Sequence, residues 1–330
     1  FHMIDQIIHD DSIKKIKAIP ECSVHAIISD IPYGICYNEW DILHDNKNTA
    51  LGGASIAQTK AGEIFKRRGK PLNGWSSADK KIPYEYQEWC ASWGKEWLRV
   101  LKPGGSCLIF AGRRYSHRCI VALEDCGFTF KDMIAWEKPT APYRAQRISE
   151  TYKRRGDYKN AQKWSGWRVA NLRPLFEPIL WLQKPYKTGG TLADNILINN
   201  VGGWNQNALE KYNGSGYCKE AHLCSNIFRI SSDKDDHGLH EAQKPLNLME
   251  CLVSLVTKRG ALILDPFAGS GTTCVAAQKL GRHFIGIEIN EKYVKIAKHR
   301  LKQIQECSTP EAIQQLSTIS LFGSTSKTGA

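Results

Sequence analysis

The chain has 330 residues, 42% hydrophobic and 24% charged, a balance that permits a packed core and excludes disorder throughout. At roughly 150 residues per domain this is two domains, or one large α/β domain with an insertion; the mean hydropathy is −0.39, and no apolar run nears the ~20 residues of a membrane span. The net charge of +12 lies in two places, 47–81 at net +6 and 138–190 at net +9, so the rest of the chain is slightly acidic.

Phe1-His2 precede Met3, which reads as the natural start, and nothing after it has the positive, apolar and small-residue order of an export leader. Residues 24–30 read as a short buried strand that ends in Asp30-Ile-Pro-Tyr-Gly34. Residues 38–81 lack a sustained apolar period and contain Gly52-Gly53, Pro71 and Gly74. That composition predicts a long loop, mobile over 45–81. Tyr86, Trp89, Cys90, Trp93, Trp97, Leu98 and Leu101 recur at helical spacing and mark a core face rather than a stacking platform. Pro103-Gly104-Gly105 is expected to stop that helix before a strand over 106–110, a helix near 114–124 and a strand near 128–136.

From 138 to about 238 the apolar runs are short, at 176–182, 196–198 and 227–230. Lys and Arg here interleave with Tyr143, Tyr152, Tyr158, Trp164, Trp167 and Tyr186, as on a polyanion-binding surface. The plain alternative is a solvated loop. Regular alternation then returns: a helix over 245–257, a strand over 261–265, a helix over 272–280, a strand over 283–288 and an amphipathic helix over 291–305, with one βαβ unit among them. Residues 307–330 are rich in Ser and Thr and read as a mobile tail. Eleven cysteines without a CxxC pair suit reduced thiols in a cytoplasm. Cys218, His222, Cys224, His237 and His240 lack a recognised zinc spacing, so no metal is expected.

Two short motifs carry the chemistry. Asp265-Pro-Phe-Ala-Gly-Ser-Gly-Thr-Thr273 joins a buried strand to a helix. Gly269 and Gly271 permit a tight turn close to a ligand, and Thr272 opens a helix whose free N–H groups favour a polar group. Glu288 ends the next strand, with Asn290 just beyond, and an acid there suits the hydroxyls of a ribose. No Gly-Lys-Ser/Thr follows, so this is not a P-loop. The earlier motif sets a carboxylate, a fixed kink and an aromatic ring at the C-terminal end of a strand, the edge where open α/β sheets bind ligands. An ordinary Pro-containing turn with an Asp cap is the plain alternative.

Asp30-Ile-Pro-Tyr33 resembles the Asp-Pro-Pro-Tyr motif of amino-group DNA methyltransferases, and Asp265-Pro-Phe-Ala-Gly-Ser-Gly271 resembles their S-adenosylmethionine motif. The catalytic motif comes first and the cofactor motif 235 positions later, the order of the permuted β group. Ile8-His-Asp-Asp-Ser12 is similar to the segment near the cofactor adenine, with Asp10 in place of glycine. His240-Glu-Ala-Gln-Lys-Pro245 is similar to the segment that closes over the methionine end, and Leu101-Lys-Pro-Gly-Gly105 matches as well. The resemblance covers about 4–138 and 239–304.

The resemblance implies a Rossmann-like α/β sheet with helices on both faces, circularly permuted in motif order. It implies a catalytic part over 1–138, an inserted target-recognition region over 139–238 and a cofactor-binding part over 239–306. Asp30, Ile31, Pro32 and Tyr33 are the implied catalytic residues: the Asp30 carboxylate and Ile31 carbonyl bind the target amine, and Tyr33 stacks on a base flipped from the duplex. S-adenosylmethionine is implied on Asp11, Lys244, Asp265, Phe267, Gly269, Ser270, Gly271, Thr272, Glu288 and Asn290. Double-stranded DNA is implied on the basic segments at Arg67, Arg68, Arg144, Arg147, Lys153, Arg154, Arg155, Lys163 and Arg168.

The family usually has proline at Ile31, and its loss removes a fixed φ. Three readings follow: a DNA amino-methyltransferase acting on adenine N6, with cytosine N4 as second choice; a DNA-binding relative without activity; and a nicotinamide-dependent oxidoreductase using the same glycine turn. The last needs neither the Asp30 motif nor the split basic charge. The first implies a bacterial, nucleoid-associated protein, with a second copy of the chain and a restriction endonuclease as companions. Thr318-Ile-Ser-Leu-Phe322 resembles the peptides that dock on sliding clamps, though an apolar tail docking on its own domain is the plainer reading.

Overall fold

An apolar, β-branched run without a turn-former makes Val24–Asp30 a strand, β2, and cover on both faces places it inside a sheet. The chain is seen as a computed structural model that describes residues 2–33, 77–141, 145–169, 171–187, 189–213, 224–231 and 243–307. Outside these lie most of the expected 45–81 loop, Arg67, Arg68, Arg144, four of the five residues weighed as metal ligands, and the tail with Thr318–Phe322.

Before β2 come β1 (Gln6–His9) and α1 (Ser12–Lys15). After it come α2 (Ser77–Val100), β3 (Leu101–Phe110), α3 (Gly112–Asp125) and β4 (Thr129–Glu137). A small unit follows, of β5 (Gln146–Arg147), α4 (Ile148–Arg154), α5 (Tyr158–Lys163) and β6 (Arg168–Val169). Next are β7 (Phe176–Gln183), α6 (Leu192–Asn199), α7 (Gln206–Asn213) and β8 (Ile227–Phe228). The last stretch holds α8 (Leu246–Val256), β9 (Leu262–Asp265), α9 (Thr272–Lys279), β10 (His283–Glu288) and α10 (Glu291–Cys307).

The main sheet runs β1-β10-β9-β2-β3-β7-β4-β8, while β5 and β6 pair separately. It is parallel from β1 to β3 and antiparallel where β7 joins β3 and β4. One face packs on α8, α9 and α10 through Leu248, Leu252, Val275, Ala276 and Ala297. The other packs on α2 and α3 through Tyr86, Trp93, Trp97, Cys119 and Leu123. Trp93 and Trp97 are fully buried, and each indole stabilises by about 4–6 kcal/mol at ~25 cal/mol per Å². In β2, Ala26 and Ile28 face the first core and Ile27 the second. Val24, at the start of the strand, also packs in the second core, and between Val24 and Ala26 the pairing with β3 shifts register. No helix among the described residues is long and apolar enough to cross a membrane.

Three expectations are corrected. The α2 helix begins at Ser77, inside the expected loop, because its apolar stripe reaches back to Ile82 while Lys80 and Lys81 face solvent. The helix ends at Val100, ahead of Pro103 as expected, but the next strand starts early and takes in Pro103-Gly104-Gly105: Gly104 N–H donates to Lys184 O at 2.9 Å and Lys184 N–H to Gly105 O at 3.0 Å. Residues 176–183, expected in the inserted region, form β7 of the main sheet, since the run is apolar on both faces and needs cover from both cores.

Candidate active site

Because β2 and β9 are neighbours, their C-terminal ends bring Asp30 and Asp265 to one edge of the sheet. Ser29 Oγ donates to Asp265 Oδ1 at 2.7 Å, stitching together positions 236 residues apart. Beyond Asp30 the ladder persists for one residue, with Ile31 N–H donating to Phe110 O at 3.2 Å. Proline has no such N–H. The Ile31 side chain is fully buried, so a hydrogen bond and packing restrain the backbone where a ring would. Tyr86 of α2 donates to Pro32 O at 3.2 Å. At Gly112, where φ is +64°, a Cβ would come within 2.8 Å of the Tyr33 ring, so glycine makes room for Tyr33.

Four charged groups and one phenol meet here. Lys244, just ahead of α8, donates to Asp30 Oδ2 at 2.6 Å and Tyr33 Oη at 3.0 Å, and pairs with Glu177 Oε1 at 3.2 Å. Tyr33 Oη lies 2.9 Å from Asp30 Oδ1 and also contacts Glu177 Oε1, so its single proton serves two carboxylates. Lys138, at the end of β4, pairs with Glu177 Oε2. Two acids and two lysines make the group neutral overall.

Burial pushes the Asp30 carboxyl above its usual range; Lys244 opposes the rise and Glu177 adds to it. Burial also works against the charge on Glu177, but Lys244 and Lys138 outweigh it and bring that carboxyl down to about 2. Burial disfavours the Lys244 ammonium, yet Asp30 and Glu177 hold its pKa above the ordinary lysine value. Lys244, expected beside a cofactor, is bonded here to Asp30 and Glu177, because a buried cation settles on the nearest carboxylates.

The glycine turn between β9 and α9 lies next to this cluster. Gly271 has φ +79° and approaches Ala297 so closely that a Cβ would lie 2.7 Å from the alanine Cβ. Arg300 of α10 donates from one nitrogen to Ser270 O at 2.9 Å and Thr272 Oγ1 at 2.9 Å. The buried Ser270 and Thr272 side chains therefore face the arginine, and the turn presents backbone. Asp265 is buried as well; burial raises its carboxyl to about 6 despite bonds from Thr273, Ser29 and the Phe267 N–H.

Glu288 accepts from Gly269 N–H at 2.8 Å and Asn290 N–H at 2.7 Å. Burial raises its pKa, and those amides oppose the rise. The Phe267 ring is partly buried against Trp89, Trp93 and Trp97 at centroid distances of 5.7, 6.5 and 6.1 Å. The Asp11 and Asn290 side chains, expected at a cofactor, cap backbone: Asp11 takes Ile13 N–H and Asn290 takes Lys292 N–H. Of the acids expected here, Asp265 is buried, Asp11 and Glu288 are partly exposed, and Glu288 is bonded to the turn through Gly269 N–H.

Residues 24–299 match the DNA methylase family of N6 and N4 methyltransferases. The chain belongs to this family. It is 61% identical over 299 residues to the Type II methyltransferase M.HindIII of Haemophilus influenzae, across 91% of this chain and 96% of that one. M.HinfI, a Type II methyltransferase of the same species, is 27% identical over 318 residues, 95% of this chain and 72% of that one. Two solved structures share the fold. The PvuII cytosine-N4-specific DNA methyltransferase has a TM-score of 0.55 at 16% identity, covering 90% of this chain and 88% of its own. A Thermus thermophilus DNA modification methylase complexed with S-adenosyl-L-methionine has a TM-score of 0.52 at 22% identity, covering 91% and 93%.

In this methylase the described basic residues expected on DNA gather on the small unit of β5, α4, α5 and β6. Arg147, Lys153, Arg154, Arg155, Lys163 and Arg168 are all exposed. Arg147, Lys153 and Arg168 line one cavity of about 550 Å³ together with Tyr158 and Trp167. Arg154, Arg155 and Lys163 lie on the same unit outside that cavity. Sequence reasoning missed Glu177, Lys138 and Arg300. The signal for Glu177 was an acid inside the apolar run 176–182, since a buried charge demands a partner.

Proposed function

We propose that this methylase transfers the methyl group of S-adenosylmethionine to the N6 amine of an adenine flipped out of double-stranded DNA. The observation that carries the reading is the Asp30 carboxylate at the end of β2, beside the cofactor turn at the end of β9, with Ser29 and Asp265 bonded between them. The residues present fit S-adenosylmethionine: Glu288 supplies an acceptor suited to ribose hydroxyls, the turn a backbone surface, and Phe267 an apolar wall. When bound, the cofactor supplies a methyl group on a sulfonium centre.

An exocyclic amine is a poor nucleophile because its lone pair is delocalised into the ring. Asp30 and the Ile31 carbonyl accept its two N–H bonds, which draws the nitrogen toward tetrahedral geometry. The Asp30 carboxylate then takes the proton that becomes acidic as the nitrogen gains its methyl group. Tyr33 provides a face for the base. Orientation and electrostatics supply the acceleration, and no covalent enzyme intermediate is required.

Adenine is favoured by the aspartate at the head of the motif, since family members with serine there tend to act on cytosine. The region 139–238, excluding β7 and β8 of the main sheet, is assigned to target recognition on its exposed basic unit. By likeness to M.HindIII, named a Type II methyltransferase, the natural companion is a restriction endonuclease for the same site.

The test is to incubate the protein with labelled S-adenosylmethionine and mixed-sequence duplex DNA, digest to nucleosides and identify the product by mass spectrometry. N6-methyladenine is expected. N4-methylcytosine alone would overturn the base assignment, and absence of any methylated nucleoside would overturn the activity.

A further inference from the structure

We propose that Glu177 is a positioning residue: it retains Lys244 and Tyr33 when the target amine takes over the Asp30 carboxylate. The inference rests on the methyl transfer proposed above. Both Asp30 oxygens are engaged, Oδ1 by Tyr33 and Oδ2 by Lys244. Each oxygen can accept a second bond, so an incoming amine shares the Asp30 carboxylate with Tyr33 and Lys244 and weakens the hold of both on it. A buried ammonium does not leave its counter-ion unless a second one is at hand. Glu177 is that second carboxylate, on β7, two strands from β2 and already within 3.2 Å of Lys244.

Tyr33 has the same choice, because its one proton can pass from Asp30 to Glu177 without leaving hydrogen-bond reach of a carboxylate. Lys138 holds the far oxygen of Glu177, which keeps the near oxygen aimed at the other two groups. Among the described residues, the titratable groups that face Asp30 are Tyr33 beyond β2, Glu177 on β7 and Lys244 ahead of α8, with Lys138 behind Glu177 and Asp265 behind Ser29.

Neutrality gives the test its sign. Glu177→Gln leaves Asp30 facing two lysines, so its proton is lost at lower pH and Lys244 closes onto Asp30 alone. Lys138→Met, at a partly exposed position, removes a cation and shifts the Asp30 titration upward. The experiment measures single-turnover methyl transfer against pH for wild type and both variants. It also follows the ¹³C carboxyl titration of Asp30 in the free protein, assigned with Asp30→Asn.

Glu177→Gln is expected to slow transfer about 10- to 100-fold, the scale of a misplaced reacting group, with its acid limb moved to lower pH. Lys138→Met is expected to move that limb to higher pH. A wild-type rate in Glu177→Gln, or limbs unmoved in both variants, overturns the proposal. If wild type itself transfers no methyl group, the proposed function fails, and opposite carboxyl shifts in the free protein still decide the placement of Glu177. Should Glu177→Gln fail to fold, the Lys138→Met shift decides alone.

Discussion

Replacing Glu288 perturbs two things at once, and the geometry separates them. Its oxygens accept from different backbone N–H groups, Oε1 from Asn290 at 2.7 Å and Oε2 from Gly269 at 2.8 Å. Glutamine keeps one acceptor oxygen, and its NH₂ must then face a backbone N–H. Glu288→Gln is therefore not a mild isostere here. It removes a charge-assisted bond to the glycine turn and the charged acceptor proposed for a ribose. One such loss is worth ~1.5–3 kcal/mol, which is about 10- to 150-fold in Kd. Glu288→Ala loses both turn bonds and should weaken binding at least as much. Calorimetric titration with S-adenosylmethionine in the absence of DNA measures this directly, with circular dichroism to confirm folding. An unchanged Kd in folded Glu288→Ala would refute the role given to this acid.

Asp30→Ala should lower methyl transfer by at least ~10²–10³, the usual scale for one catalytic hydrogen-bonding group, while S-adenosylmethionine binding stays intact; near-wild-type turnover would sink the catalytic assignment. Neutralising Lys153, Arg154 and Arg155 together should flatten the plot of log K for DNA against log salt, by about 0.9 for each phosphate that no longer meets a cation. A slope equal to wild type would remove this run from the DNA interface. Asp265 has its carboxyl raised to about 6 in the fold from a usual 3.8. Its contribution to stability is therefore fully present below pH 3.8 and lost as pH rises through 6, a difference of about 3 kcal/mol. Denaturant unfolding should show Asp265→Asn gaining on wild type between pH 4 and 7, and a gap that does not grow with pH would contradict this.

The order of elements was legible because most of them obey local rules. The β2 strand lies where its apolar run predicts, and β10 matches 283–288. What local rules miss is pairing. Nothing in 176–182 says that this strand lies between β3 and β4 rather than in a separate unit, because a continuous apolar run fits any doubly covered position. The site was legible in part for the same reason. Asp30, Asp265 and Glu288 stand at strand ends, where a motif names them. Lys244 follows no strand, and only the three-dimensional fold shows that it meets Asp30. Arg300 lies on the same helix as the buried Val294, Ala297 and Leu301, and its three-residue spacing from Ala297 turns it inward to the glycine turn.

The bond from Ser29 to Asp265 also sets a timetable for the protein's birth. A ribosome adding ~5–20 residues per second takes roughly 10–50 s to pass from Asp30 to Asp265. Through that interval β2 has emerged without the neighbour that will cover one of its edges, and β1 has no partner at all until β10 arrives. Asp30 is thus among the first parts of the molecule made and among the last placed. A chain truncated anywhere before β9 carries Asp30-Ile-Pro-Tyr33 in full yet lacks the strand that aligns it. Incomplete products are accordingly expected to be inert toward DNA methylation, and their uncovered β2 edge gives proteases and chaperones a means of telling them from finished molecules.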